Sequence, residues 1–310
     1  MSRHVKFGVR MHQHGYNFDD LKRVWTQADR LGYHSATLYD LLNAPALECW
    51  TALSGLATLT ERIRLTPLVL GNTYRPPALL AKMSATLDVI SGGRLELGIG
   101  AGGGTGDHRA SGLPFPSTAE RVKMLEEAVE LIKKSWTEPK ATFQGEYYSL
   151  EQSVNEPKPV QQPHPPVLIG GHGERHLLRS VAGHADICNI GFEMSLEEHR
   201  SKMEIVQRHC EELGRDPSGI EITHNTRVII AESEQEFEVL AAQGAVNTNV
   251  SMADYKKSLS GAIAGTPEQC VQKLSRYVDD GINYFFLLFP DPIPNENLDL
   301  FASEVMPHFT

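Results

Sequence analysis

Short apolar runs alternate along the chain with longer segments in which apolar side chains recur at helical spacing. The runs predict buried strands, and the longer segments predict amphipathic helices. One strand with its helix takes about 30 residues, the length of a unit that adds one strand to a parallel sheet. Eight strands are predicted, at residues 5–10, 34–39, 62–70, 94–99, 166–170, 186–190, 220–230 and 284–289. Their number and order predict a (β/α)8 TIM barrel.

Two segments interrupt the alternation of strands and helices. Residues 137–166, beyond the fourth strand and its helix, contain turn-forming residues and a candidate hairpin. Residues 244–265, after the seventh strand, are rich in Asn, Ser, Gly and Ala, and we expect them to form a mobile lid. The pattern therefore predicts one barrel domain over residues 1–310, with excursions after strands four and seven.

Composition narrows the class of function. The chain has 29 Lys and Arg residues against 39 Asp and Glu residues, and no basic cluster is present to bind a polyanion, so we expect no nucleic-acid partner. Its four cysteines are far apart and form no CxxC pair, which indicates reduced thiols. No signal sequence and no apolar run of roughly 20 residues is present. We expect a cytoplasmic protein that does not enter the membrane.

Glycine-rich residues follow the fourth predicted strand, at the end where barrels of this kind place reactive groups. Residues 98–103 match the pattern GxGxxG. A dinucleotide fingerprint has to open a helix directly, and no helix is predicted before about Ser117, so the pattern does not indicate a Rossmann fold. Because glycine lacks a Cβ atom, the run favours a floor on which a flat ring lies close to the backbone.

A second glycine run, at residues 170–173, lies between the fifth strand and a helix predicted from residue 174. The free N–H groups and positive dipole end of a helix start form a natural phosphate site. A tight turn between strand and helix is the alternative interpretation.

The pair His12 and His14 supports another interpretation. Residues two apart in a strand share a face, so with Asp291 this pair is compatible with a metal-dependent hydrolase. The ends of strands four and six lack the lysine and histidine ligands that such a site requires, so we expect no metal.

The chain resembles the bacterial luciferase-like monooxygenase family in four blocks, FDDLKRVWTQADRLGYHSATLYD, RIRLTPLVLGNTYRPPALLAKMSATLDVISGGRLELGIGAG, HRASGLPFPSTAERVKMLEEAVELI and NEPKPVQQPHPPVLIGGHGERHLLRSVAGHADICNIG. Within that family it is most similar to the branch of deazaflavin-dependent oxidoreductases. The segments GNTYRPPALLAKM and PPVLIGGHGER are specific, and the likeness covers roughly residues 5–290.

The resemblance implies a flavin or deazaflavin at the carboxyl ends of the strands, with its ring over strands three and four and its phosphate near strands five and six. It places a non-proline cis peptide bond at Gly71-Asn72, behind the ring. The cofactor-binding residues that it implies are Gly71, Asn72, Ala101, Gly102, Gly170, Gly171, His172, Ile190 and Gly191.

Candidate catalytic residues are less clearly marked. Relatives commonly follow the residue that matches Asp40 with a histidine proposed to handle protons, whereas this chain has Leu41. We take Asp40, His12 and His108 as the catalytic candidates, with His14 as a further proton donor. Each histidine is equally well read as a polar residue of the barrel mouth.

Two related functions follow. In the first, reduced deazaflavin (coenzyme F420) passes a hydride to an activated C=C, C=N or carbonyl group of a small organic substrate. In the second, the cofactor is FMN, and the protein is a monooxygenase that uses molecular oxygen and FMNH2 from a partner flavin reductase. Relatives often have an aromatic or acidic residue in the turn where this chain has Gly103-Gly104. Together with Leu41, this departure gives some weight to a third interpretation, a non-catalytic relative that binds a ligand. Because relatives often dimerise through their first helices, the resemblance also implies a homodimer.

Overall fold

Strands and helices alternate in the computed structural model, which describes residues 5–171 and 176–309. In chain order the strands are β1 (Lys6–Arg10), β2 (Ser35–Leu38), β3 (Arg64–Pro67), β4 (Leu70–Gly71), β5 (Leu97–Gly100), β6 (Ala141–Gln144), β7 (Ser149–Ser153), β8 (Val167–Gly171), β9 (Ile187–Ile190), β10 (Glu221–Ile230), β11 (Ile263–Gly265) and β12 (Tyr284–Leu288). The helices are α1 (Phe18–Leu31), α2 (Cys49–Ala57), α3 (Pro77–Ser91), α4 (Thr105–Ala110), α5 (Thr118–Thr137), α6 (Leu177–His184), α7 (Leu196–Leu213), α8 (Glu234–Thr248), α9 (Met252–Ser258), α10 (Pro267–Asp279) and α11 (Asn295–Glu304).

The principal sheet is parallel and forms a (β/α)8 barrel. Its strands follow the order β3-β2-β1-β12-β10-β9-β8-β5-β4. Because β3 and β4 are two parts of one interrupted strand, the first and last members of this order meet. A bridge between Leu65 of β3 and Leu95 places β3 beside the segment that leads into β5. Helices cover the outside of the sheet, as the alternating pattern requires. The predicted fold class and its eight strands are confirmed.

The third strand differs from the continuous strand that the apolar pattern predicts. After β3 the peptide bond between Leu68 and Val69 is cis, and pairing resumes in β4. The prediction of a cis bond at Gly71-Asn72 is therefore wrong. Gly71 pairs with Gly100 in a parallel ladder, and the Asn72 N–H donates to the Gly100 carbonyl at 3.0 Å. β4 therefore pairs regularly with β5 at Gly71, and the irregular geometry lies just before β4, at Leu68-Val69.

Capping residues set the starts of several helices. Asn17, Ser117 and Ser195 each form a capping box with the residue three positions later. The expectation that no helix precedes Ser117 is wrong, because the short helix α4 begins at Thr105, directly after Gly104 in a left-handed conformation. A Rossmann fold is still excluded, since the sheet closes on itself.

Both predicted excursions contain regular structure. The first includes the expected hairpin, formed by β6 and β7. The second, residues 244–265, contains α9 and β11, and β11 pairs with the carboxyl end of β10. Tyr255 packs in a small apolar cluster with Ile229, and the Thr226 hydroxyl donates to the Gly261 carbonyl at 3.1 Å. The segment therefore lies near the carboxyl ends of the strands, and its motion as a lid stays a prediction.

The structure tests the predictions about the cysteines and about membrane-spanning segments. Cys49, Cys188, Cys210 and Cys270 are buried and form no disulfide. Within residues 5–171 and 176–309, no helix combines the length and the apolar character needed to cross a bilayer.

The amino-terminal end of the barrel holds a buried carboxylate, Glu96. It accepts hydrogen bonds from the hydroxyls of Thr66 and Tyr284 at 2.7 and 2.8 Å, and it lies 2.8 Å from Arg64 Nε and 3.4 Å from His34. Burial by itself would raise the pKa of Glu96, but the His34 contact and the Arg64 charge outweigh it and lower that pKa to about 2. The barrel therefore holds Glu96 in its charged form.

Replacing Glu96 with glutamine should lower the free energy of unfolding by about 3 kcal/mol at pH 7, because Arg64 loses its buried carboxylate. Since the pKa of Glu96 is lowered, its stabilisation is present above its ordinary value of 4.5 and is lost as pH falls from there towards 2. Urea unfolding at pH 7 and pH 3 measures this, and the difference between wild type and variant should shrink at the lower pH. The control is Glu238→Gln, which breaks an exposed ion pair with Lys256 and should cost under about 1 kcal/mol. Equal losses in the two variants would contradict the prediction.

Candidate active site

A cavity of about 700 Å³ lies at the carboxyl ends of the barrel strands. Its volume is in the range of pockets that hold small molecules and cofactors. Seven of the residues predicted from the sequence line it, namely Asp40, Gly71, Ala101, Gly102, Gly170, Gly171 and Gly191. The predicted strand ends therefore meet around one space.

The floor and back wall of this cavity depend on glycine. A Cβ atom at Gly100 would come within 2.8 Å of the Gly170 carbonyl oxygen, and one at Gly71 within 2.8 Å of the Tyr74 ring. Both distances are too short for a side chain. Leu68 and Val69, at the break between β3 and β4, add an apolar wall. The result is a surface made of backbone and short apolar contacts.

Asp40 holds the back wall in place. Its carboxylate pairs with Arg75 through two hydrogen bonds of 2.7 and 2.8 Å, and it accepts the Gly71 N–H at 2.9 Å. Arg75 also reaches Glu48 at 2.8 Å. Paired, hydrogen-bonded carboxylates of this kind fix backbone geometry, so Asp40 connects the end of β2 to the end of β4.

His108 is buried and does not line the cavity. Its Nε2 lies 2.6 Å from the Thr73 hydroxyl, and its Nδ1 lies 3.0 Å from the Gly104 carbonyl oxygen. Because a carbonyl only accepts, Nδ1 carries the proton and Nε2 accepts from Thr73. Both ring nitrogens are thus engaged in holding the turn around Gly102 and α4.

His12 and His14 lie outside the cavity lining. Their Nδ1 atoms are 2.7 Å apart, and burial, followed by the nearby His14, lowers the pKa of His12. Asp291 accepts a hydrogen bond from the Tyr16 hydroxyl at 2.8 Å. Among the residues that the structure describes, no cluster of three or more His, Cys, Asp or Glu side chains is arranged to hold a metal ion.

The remaining predicted residues lie next to the cavity or outside the described residues. Asn72 is buried, and its amide donates to the Tyr148 hydroxyl at 3.4 Å. Ile190 is a core residue of β9 that places Gly191 at the cavity. His172 lies outside the residues that the structure describes.

Several cavity residues are missed by reasoning from the sequence. Asn189 and Asn225 exchange amide hydrogen bonds of 3.1 and 3.2 Å across β9 and β10. Arg10 ends β1, Tyr39 follows β2, and Arg121 lies in the first turn of α5. The signal that could have found Asn225 is a polar residue within an apolar strand, and for Arg10 and Tyr39 it is their position at a strand end.

The chain is similar to known proteins over most of its length. The family described as luciferase-like monooxygenase matches residues 4–284. The chain is 26% identical to an F420-dependent glucose-6-phosphate dehydrogenase of Amycolatopsis mediterranei, with 98% of each chain covered. It is 28% identical to an FMNH2-dependent dimethylsulfone monooxygenase of Pseudomonas putida, over 63% of this chain and 52% of that one. A solved coenzyme F420 dependent tetrahydromethanopterin reductase from Methanopyrus kandleri shares the fold, with a TM-score of 0.80, 19% identity and 99% of each chain covered.

Replacing Gly102 with alanine should lower the free energy of unfolding by about 1–3 kcal/mol. Its φ of 80° disfavours a side chain, and a Cβ atom there would overlap the Thr73 hydroxyl that bonds His108. The matched control is Gly103→Ala, where a Cβ atom meets nothing within 4 Å. That variant should stay within about 1 kcal/mol of wild type. Urea unfolding of both proteins measures the difference, and a larger loss at residue 103 would contradict this account of the turn.

Proposed function

The chain belongs to the luciferase-like monooxygenase family and is an oxidoreductase, and we propose that it uses reduced deazaflavin, coenzyme F420, to reduce a small organic substrate. The observation that carries this proposal is the glycine floor of the cavity, which admits a flat ring against the backbone. The likeness to an F420-dependent dehydrogenase over 98% of both chains supports F420 as the cofactor.

The residues present fit such a cofactor. Its ring would lie between the wall at Leu68 and Val69 and the turn at Ala101 and Gly102, whose side chains are only a methyl group and a hydrogen. Removing side chains in this way gives a flat ligand close contact with the backbone.

A phosphate group would be held at the end of β8. Gly170 and Gly171 line the cavity beside Leu177, the first residue of α6. The positive end of that helix favours an anion, and the Arg121 guanidinium at the same cavity adds positive charge. His172 belongs to this proposed phosphate loop by its place in the sequence.

The cofactor, when bound in reduced form, supplies a hydride to the substrate. The protein has to supply the proton, and Tyr39 is our candidate donor. Its hydroxyl accepts a hydrogen bond from Arg10 Nε at 2.6 Å, so its own proton is free to be donated. Burial raises the pKa of Tyr39, and the hydroxyl is therefore protonated at neutral pH.

Asp40 and His108 then act by positioning rather than by proton transfer. The Asp40 carboxylate accepts hydrogen bonds from Arg75 and from the Gly71 N–H. His108 holds the turn through Thr73 and Gly104. His12 lies outside the cavity lining and stays an alternative candidate for the proton donor.

A second candidate function is an FMNH2-dependent monooxygenase that a partner flavin reductase supplies. The similarity to the dimethylsulfone monooxygenase supports it, and the same ring site would serve. A homodimer and a cytoplasmic location also stay predictions, which light scattering and cell fractionation would test.

Binding of the two cofactors tests the proposal. We expect F420 to bind with a dissociation constant at least about tenfold below that of FMN, measured by fluorescence quenching with each cofactor in oxidised and reduced form. A screen of small carbonyl compounds should then find substrates that oxidise reduced F420. Tighter binding of FMNH2 together with oxygen consumption would favour the monooxygenase, and failure to bind either cofactor would favour a non-catalytic role.

Two neighbouring substitutions should separate positioning from proton transfer. Asp40→Asn should weaken F420 binding about tenfold, because the Arg75 pair that orders the Gly71 backbone loses its charge. Tyr39→Phe should leave that affinity within about threefold of wild type, while turnover of a substrate found in the screen falls about 100-fold. Unchanged F420 affinity in Asp40→Asn, with a shifted pH profile of turnover, would instead make Asp40 the proton-transfer group.

A further inference from the structure

We propose that Arg10 binds a carboxylate group of the substrate at the side of the cavity opposite the phosphate end. That the bound molecule is a substrate rests on the proposed function. The contacts of Arg10 carry the proposal, because its guanidinium lines the cavity on the β1 side and has no carboxylate partner among the described residues.

The strand order separates Arg10 from the phosphate end. With β3 and β4 counted as one strand, the barrel has eight strand positions, and four steps lead from β1 to β8 in either direction. The two strands therefore face each other across the barrel. Arg10 ends β1, and Gly170 and Gly171 end β8. A cofactor whose phosphate lies at β8 and whose ring lies over β4 and β5 leaves the β1 side for the substrate.

The Arg10 side chain is fixed on two sides. Its Nε donates to the Tyr39 hydroxyl at 2.6 Å. Its guanidinium carbon lies 5.3 Å from the centre of the Tyr39 ring and 4.8 Å from that of Phe192, distances at which aromatic rings attract a cation. A guanidinium held in this way is preorganised for a ligand, since little side-chain freedom remains to be lost on binding.

One nitrogen of this guanidinium is buried without a partner. Arg10 Nη1 has almost no accessible surface and no acceptor among the described residues. A buried, charged donor without an acceptor is unfavourable. Nη1 itself is shielded from the cavity, so a ligand oxygen would meet the guanidinium at the edge that lines the cavity.

The other charged groups of the cavity have partners. Asp40 pairs with Arg75, and Arg121 donates to the carbonyl of Gly102 at 3.1 Å. Asp107 accepts from the Tyr74 hydroxyl at 3.2 Å. Arg121 contacts the turn after β5, next to β8, so the cation that an anionic ligand meets on the β1 side is Arg10.

The shape and charge of this site favour a carboxylate. A planar guanidinium matches a planar carboxylate in geometry. One guanidinium also balances the single charge of a carboxylate, whereas a phosphate monoester has a charge of about −1.5 to −2. The Phe192 and Tyr39 rings beside it favour an apolar or aromatic body attached to that carboxylate.

Binding of benzoate and benzamide to the full-length protein tests the proposal, because the two probes share shape and differ in charge. Isothermal titration should give wild type an affinity for benzoate about 10–100-fold above that for benzamide, the range expected of hydrogen bonds to charged groups. Arg10→Gln should abolish this preference, and Arg10→Lys should keep part of it. The control Arg30→Gln removes the same charge from an exposed site on α1 and should keep the full preference.

Three results would overturn the proposal. They are equal binding of the two probes by wild type, a preference that survives in Arg10→Gln, and tighter binding of phenyl phosphate than of benzoate. Circular dichroism melting tests whether each variant is folded. If Arg10→Gln is unfolded, the proposal is judged on Arg10→Lys. F420 binding is measured separately. A wild type that prefers benzoate but binds no F420 would refute the proposed function and leave the Arg10 site standing.

Discussion

The structure depends on the close approach of β5 and β8 to the segment that joins β3 to β4. A Cβ atom at Gly98 would overlap the Pro67 carbonyl, and one at Gly170 would come within 2.8 Å of Val69. Larger residues would push these strands apart, and the barrel could not close around the break between β3 and β4. At the carboxyl end of the barrel, glycines also leave backbone atoms uncovered, because they have no side chain. Closure of the sheet and the flat floor of the cavity therefore have one physical origin.

Charge is distributed differently at the two ends of the barrel. At the amino end, Glu96 is buried with Arg64, Thr66 and Tyr284, and its hydrogen-bonding capacity is used inside the protein. At the carboxyl end the wall carboxylate is also paired, but Arg10 keeps a buried nitrogen without an acceptor. Satisfied polar groups make a region rigid, whereas a guanidinium that lines a cavity without a carboxylate partner is available to an anionic ligand. Stability and binding thus rest on separate sets of residues.

Reasoning from the sequence placed the glycine turns of the cavity but few of the polar side chains that line it. Glycines at strand ends are visible as a pattern, and seven predicted residues do line the cavity. His108 shows the limit, since its place after a strand end says nothing about the direction of its ring, which Thr73 and Gly104 set. Tyr39 was missed because it reads as the last residue of a buried strand. A side chain's direction depends on neighbours that are distant in the chain.

The sequence by itself determined the order of strands and helices, the barrel and the glycine turns, because periodicity, caps and missing Cβ atoms are local properties. It also identified the family, through continuous blocks. Only the tertiary structure decided that the cis bond lies between Leu68 and Val69, that the Asp40 carboxylate pairs with Arg75, and that Arg10 lines the cavity. Each of these depends on which groups from separate strands come within hydrogen-bond distance, and that is fixed when the sheet closes.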